Sequence, residues 1–239
     1  MDGGTTSTRL TAAIFDVDGV LLASPHERAW REALSGIADP ARFTTAMYQA
    51  NVAGKPRMSG ALAALVALGV PDPAKQVDAY AARKQARLEA LVADGHVAAF
   101  PDALRFVAAV GALGWPMAVA SSSKNANAML KQIGLPDGRN LLGLFTANVC
   151  GRDLKRGKPD PEIFLLAAEE LHIAPRNCFV AEDAPAGIQA ARSGGMAALG
   201  VARLDDSAGL RAAHADLVVT SLDDVSLAAL AEGRLGMPA

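Results

Sequence analysis

A chain of 239 residues, 51% of them hydrophobic, suits one large domain or one domain carrying an insertion, and can bury a sizeable core. A net charge of −2 shows no bias toward nucleic acid or anionic membrane surfaces, and no apolar run reaches the length of a membrane span. The two cysteines, Cys150 and Cys178, sit in apolar contexts and are expected as buried free thiols, which suits a reducing cytoplasm; Met1–Thr8, without the basic and apolar parts of a leader, reads as a loose polar tail.

The first element is a short apolar run, Ala12–Phe15, which leads into Asp16, Asp18 and Gly19 and reads as a buried strand ending at a turn. From Ser24 to about Ala98 the pattern is helical, with no convincing strand. Ser24-Pro25 starts a helix through Trp30 and Leu34, and Asp39-Pro40 starts a second that reaches Val52. A third covers Ser59 to Leu68, and a fourth runs from Asp72-Pro73 through Tyr80, Leu88 and Leu91 to Asp94-Gly95. An alternation of strand and helix then begins. Helices are expected from Pro101 to Leu113, Lys124 to Ile133, Pro159 to Leu171, Ala184 to Arg192 and Leu222 to Ala231. Strands are expected at Pro116–Ala120, Leu144–Val149, Cys178–Ala181, Ala197–Val201 and Asp216–Thr220. Such alternation implies a parallel α/β sheet with helices on both faces, the helical insertion lying over the strand ends as a lid.

Polar groups without an evident packing purpose stand at four strand ends or in strand-to-helix loops: Asp16 and Asp18, Ser121 to Ser123, Lys158, and Glu182-Asp183. Singly, a serine there commonly caps a helix, a lysine is solvated, and an acidic pair caps the next helix. Together they lie where open parallel sheets bind ligands, beyond the carboxyl ends of strands. A calcium loop is excluded, because Val20 and Leu21 occupy the places where it needs an acid or amide and a glycine.

Phosphoryl transfer calls for such a set. Two unit charges ~4 Å apart repel by ~4 kcal/mol at an effective dielectric near 20, so a carboxylate reaches phosphorus only when compensated. Magnesium held by carboxylates, a lysine, a serine hydroxyl and backbone N–H groups would supply that compensation. Asp16 would then form an aspartyl-phosphate, and Asp18 would act as general acid and base.

Asp16-Val17-Asp18-Gly19-Val20, Ser121, Gly157-Lys158-Pro159 and Glu182-Asp183 resemble, in order and over nearly the whole chain, the four motifs of the haloacid dehalogenase (HAD) superfamily. The resemblance implies a HAD-like Rossmannoid core at 1–22 and 99–239, and an all-helical cap at 23–98. It also implies Mg²⁺ held by Asp16, the Asp18 carbonyl, Glu182 and Asp183, with Ser121, Ser122 and Lys158 binding the transferring phosphoryl group. Ser121-Ser122-Ser123-Lys124-Asn125 is similar to the second-motif loop of the β-phosphoglucomutase family, in which the Ser-Lys-Asn run touches the sugar and its distal phosphate. Arg57, in Gly54-Lys55-Pro56-Arg57, aligns with a cap arginine that clamps the distal phosphate, and the planar guanidinium suits that task. His26 and Lys84 fall where that family has cap residues near the sugar, whereas Trp30 reads as packing and His96, His172 and His214 have no motif around them.

Two departures stand out. The hinge between Asp18 and His26 is about two residues shorter than in those mutases, and a cap-loop lysine is replaced by Ala53, with Lys55 two residues away. The expectation is therefore a cytoplasmic monomer acting on a small phosphorylated sugar, with no nucleic-acid or membrane partner. The favoured reaction interconverts β-glucose 1-phosphate and glucose 6-phosphate, with glucose 1,6-bisphosphate as activator or intermediate. A sugar-phosphate phosphatase is the alternative, and the presence of every motif acid argues against a non-catalytic relative.

Overall fold

The computed structural model describes residues 9–204 and 206–238. The N-terminal tail Met1–Thr8 lies outside the described residues. The centre of the molecule is a six-stranded parallel sheet of order β5-β4-β1-β6-β7-β8. Its strands are β1 (Ala12–Phe15), β4 (Met117–Val119), β5 (Ala147–Asn148), β6 (Cys178–Glu182), β7 (Ala197–Val201) and β8 (Leu217–Val219).

Strand side chains alternate between faces with a period of two, and the two faces carry separate cores. Ala13, Phe15, Met117, Val119, Phe179 and Ala181 face one; Ala12, Ile14, Ala118, Cys178 and Val180 face the other. Both faces are apolar, the signature of a parallel sheet covered on both sides. The first is covered by α5 (Pro101–Ala112) and α6 (Ala126–Gln132), through Phe106, Val110 and Met129. The second is covered by α7 (Glu162–Glu170) and α8 (Pro185–Ser193), through Phe164, Ala167 and Ile188. Phe15 meets the rings of Phe106, Phe145 and Phe179 edge-on at 6.1, 5.9 and 6.1 Å.

Between β1 and α5 lie four helices: α1 (His26–Ala33), α2 (Thr45–Asn51), α3 (Arg57–Ala67) and α4 (Pro73–Ala93). They enclose a third core built on Trp30, Leu34, Phe43, Leu65 and Tyr80, and the buried Tyr80 hydroxyl donates to the Trp30 carbonyl at 3.0 Å. The expected single helix from Asp39 to Val52 is two pieces. A 3₁₀ turn, Pro40–Arg42, is capped by the Asp39 side chain, and α2 is capped by Thr44 accepting from the Met47 N–H. Phe43, fully buried between them, leaves helical geometry to reach the cap core.

Two short strands escape sequence periodicity altogether. β2 (Leu22–Ala23) and β3 (Ala98–Ala99) form an antiparallel pair where the chain leaves the core for the helices and returns. Two-residue strands carry no period; their pairing exists only once the insertion is folded. The expected strand at Leu144–Val149 shortens to β5 because Leu141–Leu144 forms a 3₁₀ turn capped by Asn140. The helix expected from Pro159 begins at Glu162, whose N–H is taken by the Asp160 side chain. Segment 222–231 is a 3₁₀ turn (Leu222–Asp224) followed by α10 (Leu227–Ala231). The segment between β7 and β8, where the sequence reading names no element, contains α9 (Ser207–Ala212).

Candidate active site

The site starts where β1 ends. The Asp16 N–H continues the sheet by donating to the Ala181 carbonyl at 3.0 Å, and the chain then turns tightly, with Leu21 and Leu22 N–H groups both on the Val17 carbonyl. Gly19 makes this turn at φ +79°, where a side chain is disfavoured. A Cβ there would stand 2.0 Å from Asp183 Oδ2, so the loops after β1 and β6 can meet only at a glycine.

At the end of β6, Glu182 is fully buried; its Oε2 accepts from the Ala184 N–H at 2.7 Å and its Oε1 from Lys158 Nζ at 2.6 Å. The same ammonium lies 2.5 Å from Asp16 Oδ1 and over the Phe164 ring at 4.8 Å. One buried cation therefore joins the acids of two motifs. Burial pushes the Asp16 carboxyl up to about 7; the Lys158 ammonium opposes that rise, and Glu182 and Asp18 add to it. Asp183 is also raised, by burial and by the Glu182 and Asp16 charges.

The loop after β4 contributes the serines. Ser121 is buried and its Oγ accepts from the Ser123 N–H at 3.1 Å, while Ser123 Oγ accepts from the Asn125 N–H at 3.2 Å. The helical insertion sits directly above. His26 Nε2 lies 3.3 Å from Ser123 Oγ and 3.5 Å from Asp18 Oδ2, and its Nδ1 lies 3.0 Å from Lys84 Nζ. Burial holds the imidazole down to about 4, so Nδ1 is free to accept from Lys84 and Nε2–H to donate. Burial likewise lowers Lys84 to about 8, and its Nζ rests 4.8 Å over the Trp30 ring.

These residues border one cavity of about 890 Å³ between sheet and cap. Its wall includes Asp16, Asp18, Asp183, Ser121 to Ser123, Lys124 and Asn125 from the core, and His26, Arg57 and Lys84 from the cap. Two expected residues stand behind the wall rather than on it: Lys158 and Glu182, each engaged with the other. Lys124 is at the exposed rim, paired with Asp153 at 2.7 Å.

Several side chains here carried no sequence signal. Gln85 accepts from Arg57 Nη1 at 2.6 Å and exchanges hydrogen bonds with Asn125, at 3.0 and 3.2 Å, so an amide on α4 ties the cap to the second-motif loop. Its only cue was a place next to Lys84. Tyr48 and Gln49 of α2 also line the cavity, and Gln49 Oε1 and Asp18 Oδ1 are buried acceptors with no hydrogen-bond partner. The cap loop closes tightly on the core: Ser122 Oγ donates to the Gly54 carbonyl at 3.4 Å, and a Cβ on Gly157 would come within 2.4 Å of Pro56.

The donor set fits a hard divalent cation. All four acids present oxygen, among the described residues Lys158 is the one ammonium paired directly with any of them, and the raised Asp183 and the orphaned Asp18 oxygen mark a deficit of positive charge. Among the described residues no three acidic, histidine or cysteine side chains already surround a common point. A cation would thus draw on Asp16 and Asp183 with main-chain oxygen, Glu182 having only the second lone pairs of its engaged oxygens to offer.

The haloacid dehalogenase-like hydrolase family matches residues 10–195. A β-phosphoglucomutase of Mycobacterium bovis is 33% identical over 91% of this chain and 92% of its own length. A fructose-1-phosphate phosphatase of Escherichia coli is 33% identical over 81% of this chain and 97% of its own. Among solved structures, an archaeal β-phosphoglucomutase from a Pyrococcus strain superposes with a TM-score of 0.71 at 30% identity, covering 92% of this chain and 96% of that one. With the four motifs gathered at one cavity and the family match running through all of them, the chain belongs to the haloacid dehalogenase-like hydrolase family.

Proposed function

We propose that this chain transfers a phosphoryl group through an aspartyl-phosphate on Asp16 and interconverts β-glucose 1-phosphate and glucose 6-phosphate. The observation that carries the reading is one cavity lined from both core and cap. Asp16 and Ser121 line it from the core, Arg57 and Lys84 from the cap, and His26 of the cap reaches Asp18 and Ser123. A substrate with phosphate at one or both ends of a hexose suits such a space, and a bidentate guanidinium suits the distal end.

In this mechanism Asp16 attacks phosphorus and the bond to the sugar oxygen breaks. Asp18 gives its proton to the leaving oxygen and later takes one from the hydroxyl that receives the phosphoryl group. His26 holds Asp18 from the cap side, so acid and cap come into register together. Lys158 steadies the Asp16 carboxylate from behind, and Ser121 with the following backbone N–H groups receives the phosphoryl oxygens. Magnesium bound there would offset the crowding of negative charge; Asp16, the Asp18 carbonyl, Asp183 and Glu182 would hold it. The closed contact of Pro56 on Gly157 supports exclusion of water, so a sugar hydroxyl rather than water would discharge Asp16.

The second reading is a sugar-phosphate phosphatase, favoured by the likeness to the E. coli fructose-1-phosphate phosphatase. Phosphorus NMR decides between them, with β-glucose 1-phosphate, Mg²⁺ and a trace of glucose 1,6-bisphosphate in one tube. Glucose 6-phosphate with little free phosphate is expected; free phosphate as the main product would establish the phosphatase instead.

A further inference from the structure

Just beyond β7 stands a side chain to which the scheme above gives no role. Arg203 Nε donates to the Gly19 carbonyl at 3.1 Å, Nη2 to the Val20 carbonyl at 3.0 Å, and Nη1 to Asp102 Oδ2 at 2.9 Å. Its central carbon lies 3.8 Å from the centroid of the Phe100 ring. Asp102 is anchored in turn, accepting from Ser221 Oγ at 3.1 Å and from the Leu222 N–H at 2.8 Å.

What the guanidinium touches is specific. Gly19 and Val20 are the two residues directly after Asp18, and Phe100 directly follows β3. The Phe100 N–H also donates to the Leu21 carbonyl at 3.0 Å. Both chain connections between core and cap therefore pass over one planar group, which is itself fastened to the far end of the sheet through Asp102. A fork of fixed geometry can hold two successive carbonyls, and a ring stacked on its face adds a third grip without a directional bond.

We propose that Arg203 is the fixed pivot of the cap hinge and a positioning residue for Asp18. It holds the Gly19–Leu21 turn, and with it the Asp18 carboxyl, in place while the cap moves about the β2–β3 pair. This rests on Asp18 acting as the general acid, and the test separates the two ideas. A sugar alkoxide leaves only when protonated; p-nitrophenolate leaves readily without that help. A misplaced Asp18 therefore slows sugar-phosphate turnover and spares phosphorylation of Asp16 by p-nitrophenyl phosphate.

The variant to make is Arg203→Lys, which keeps the charge opposite Asp102 and loses the fork. The expected result is a fall of about 100-fold in kcat on the sugar phosphate, the order of loss that a ~1 Å misplacement brings, with KM within about twofold and the rate of the first-turnover burst of p-nitrophenolate, which reads phosphorylation of Asp16 alone, unchanged. A purely structural role would lower both rates together, and that result overturns the pivot, as does a fall in neither. A rise in KM alone would place Arg203 on the substrate and also overturn it. Should the lysine variant not fold, Phe100→Leu reads the same ratio of rates by removing only the stacked ring. Wild-type protein that cleaves the aryl phosphate and turns over no sugar phosphate would instead sink the proposed function.

Discussion

Replacing Gly187 by alanine sets two physical effects against each other. Gly187 is the third residue of α8, where helix propensity alone favours alanine by about 1 kcal/mol. The space says otherwise. A Cβ there would lie 1.9 Å from Glu182 Oε1, 2.0 Å from its Cδ and 2.5 Å from its Cγ. Glu182 is fully buried and holds Lys158 and the Ala184 N–H, so it cannot step aside freely. Overpacking costs about 1–3 kcal/mol if the side chains strain in place. Breaking the buried ion pair costs about 3–5 kcal/mol if Glu182 is expelled. Against the helix gain of about 1 kcal/mol, the net is a destabilisation of about 0–2 kcal/mol if the side chains strain in place and about 2–4 kcal/mol if Glu182 is expelled, the latter with lost turnover because Lys158 then steadies Asp16 without its second partner. Urea unfolding followed by circular dichroism measures it, with Gly111→Ala in α5 as the control. A Cβ at Gly111 meets only Met117 Cε at 3.5 Å, an ordinary contact, so that variant should be neutral or slightly more stable. If Gly187→Ala is stabilised like the control and keeps its activity, the placement of Glu182 and the reasoning built on it are wrong.

Two further outcomes follow from the charges in the cavity. The metal-free Asp16 carboxyl is pushed up to about 7, chiefly by burial, above its value of 3.8 in an unfolded chain. The stability linked to this group is then fullest below pH 4 and is lost as pH rises through 7. Asp16→Asn should abolish turnover with Mg²⁺ present and, in chelator, be more stable than wild type at pH 8, with the gap closing toward pH 5; parallel stability curves would refute the raised value. Burial and the neighbouring Lys84 ammonium hold His26 down to about 4 against the pull of Asp18. Its Cε1 proton should accordingly titrate by NMR near pH 4; a midpoint near 6.5 would mean that the imidazole is not enclosed.

Much of this protein is written locally. The run Ala12–Phe15 with Asp16, Asp18 and Gly19 declares a buried strand and its turn because strand periodicity and glycine chemistry act within a few residues. The strand–helix alternation declares a parallel sheet, and the sheet carries the ends of β1, β4 and β6 to one edge, which is why acids and serines far apart in the chain reach a single cavity. The resemblance of these motifs to a known superfamily could be read from the residues alone for the same reason.

Packing decided the rest. Phe43 breaks a helix that its neighbours would have continued, since its burial in the cap outweighs local propensity. β2 and β3 are too short to show a period, and each exists through the other. No local pattern says that Lys158 reaches both Asp16 and Glu182, 142 and 24 residues away, or that Gln85 joins Arg57 to Asn125. Arg203 is equally silent: an arginine after a strand could point anywhere, and only the folded sheet sets it beneath the two carbonyls that follow Asp18. Local chemistry chose the residues of the site; contacts between distant segments, fixed by sheet order and by the seat of the cap, chose their partners.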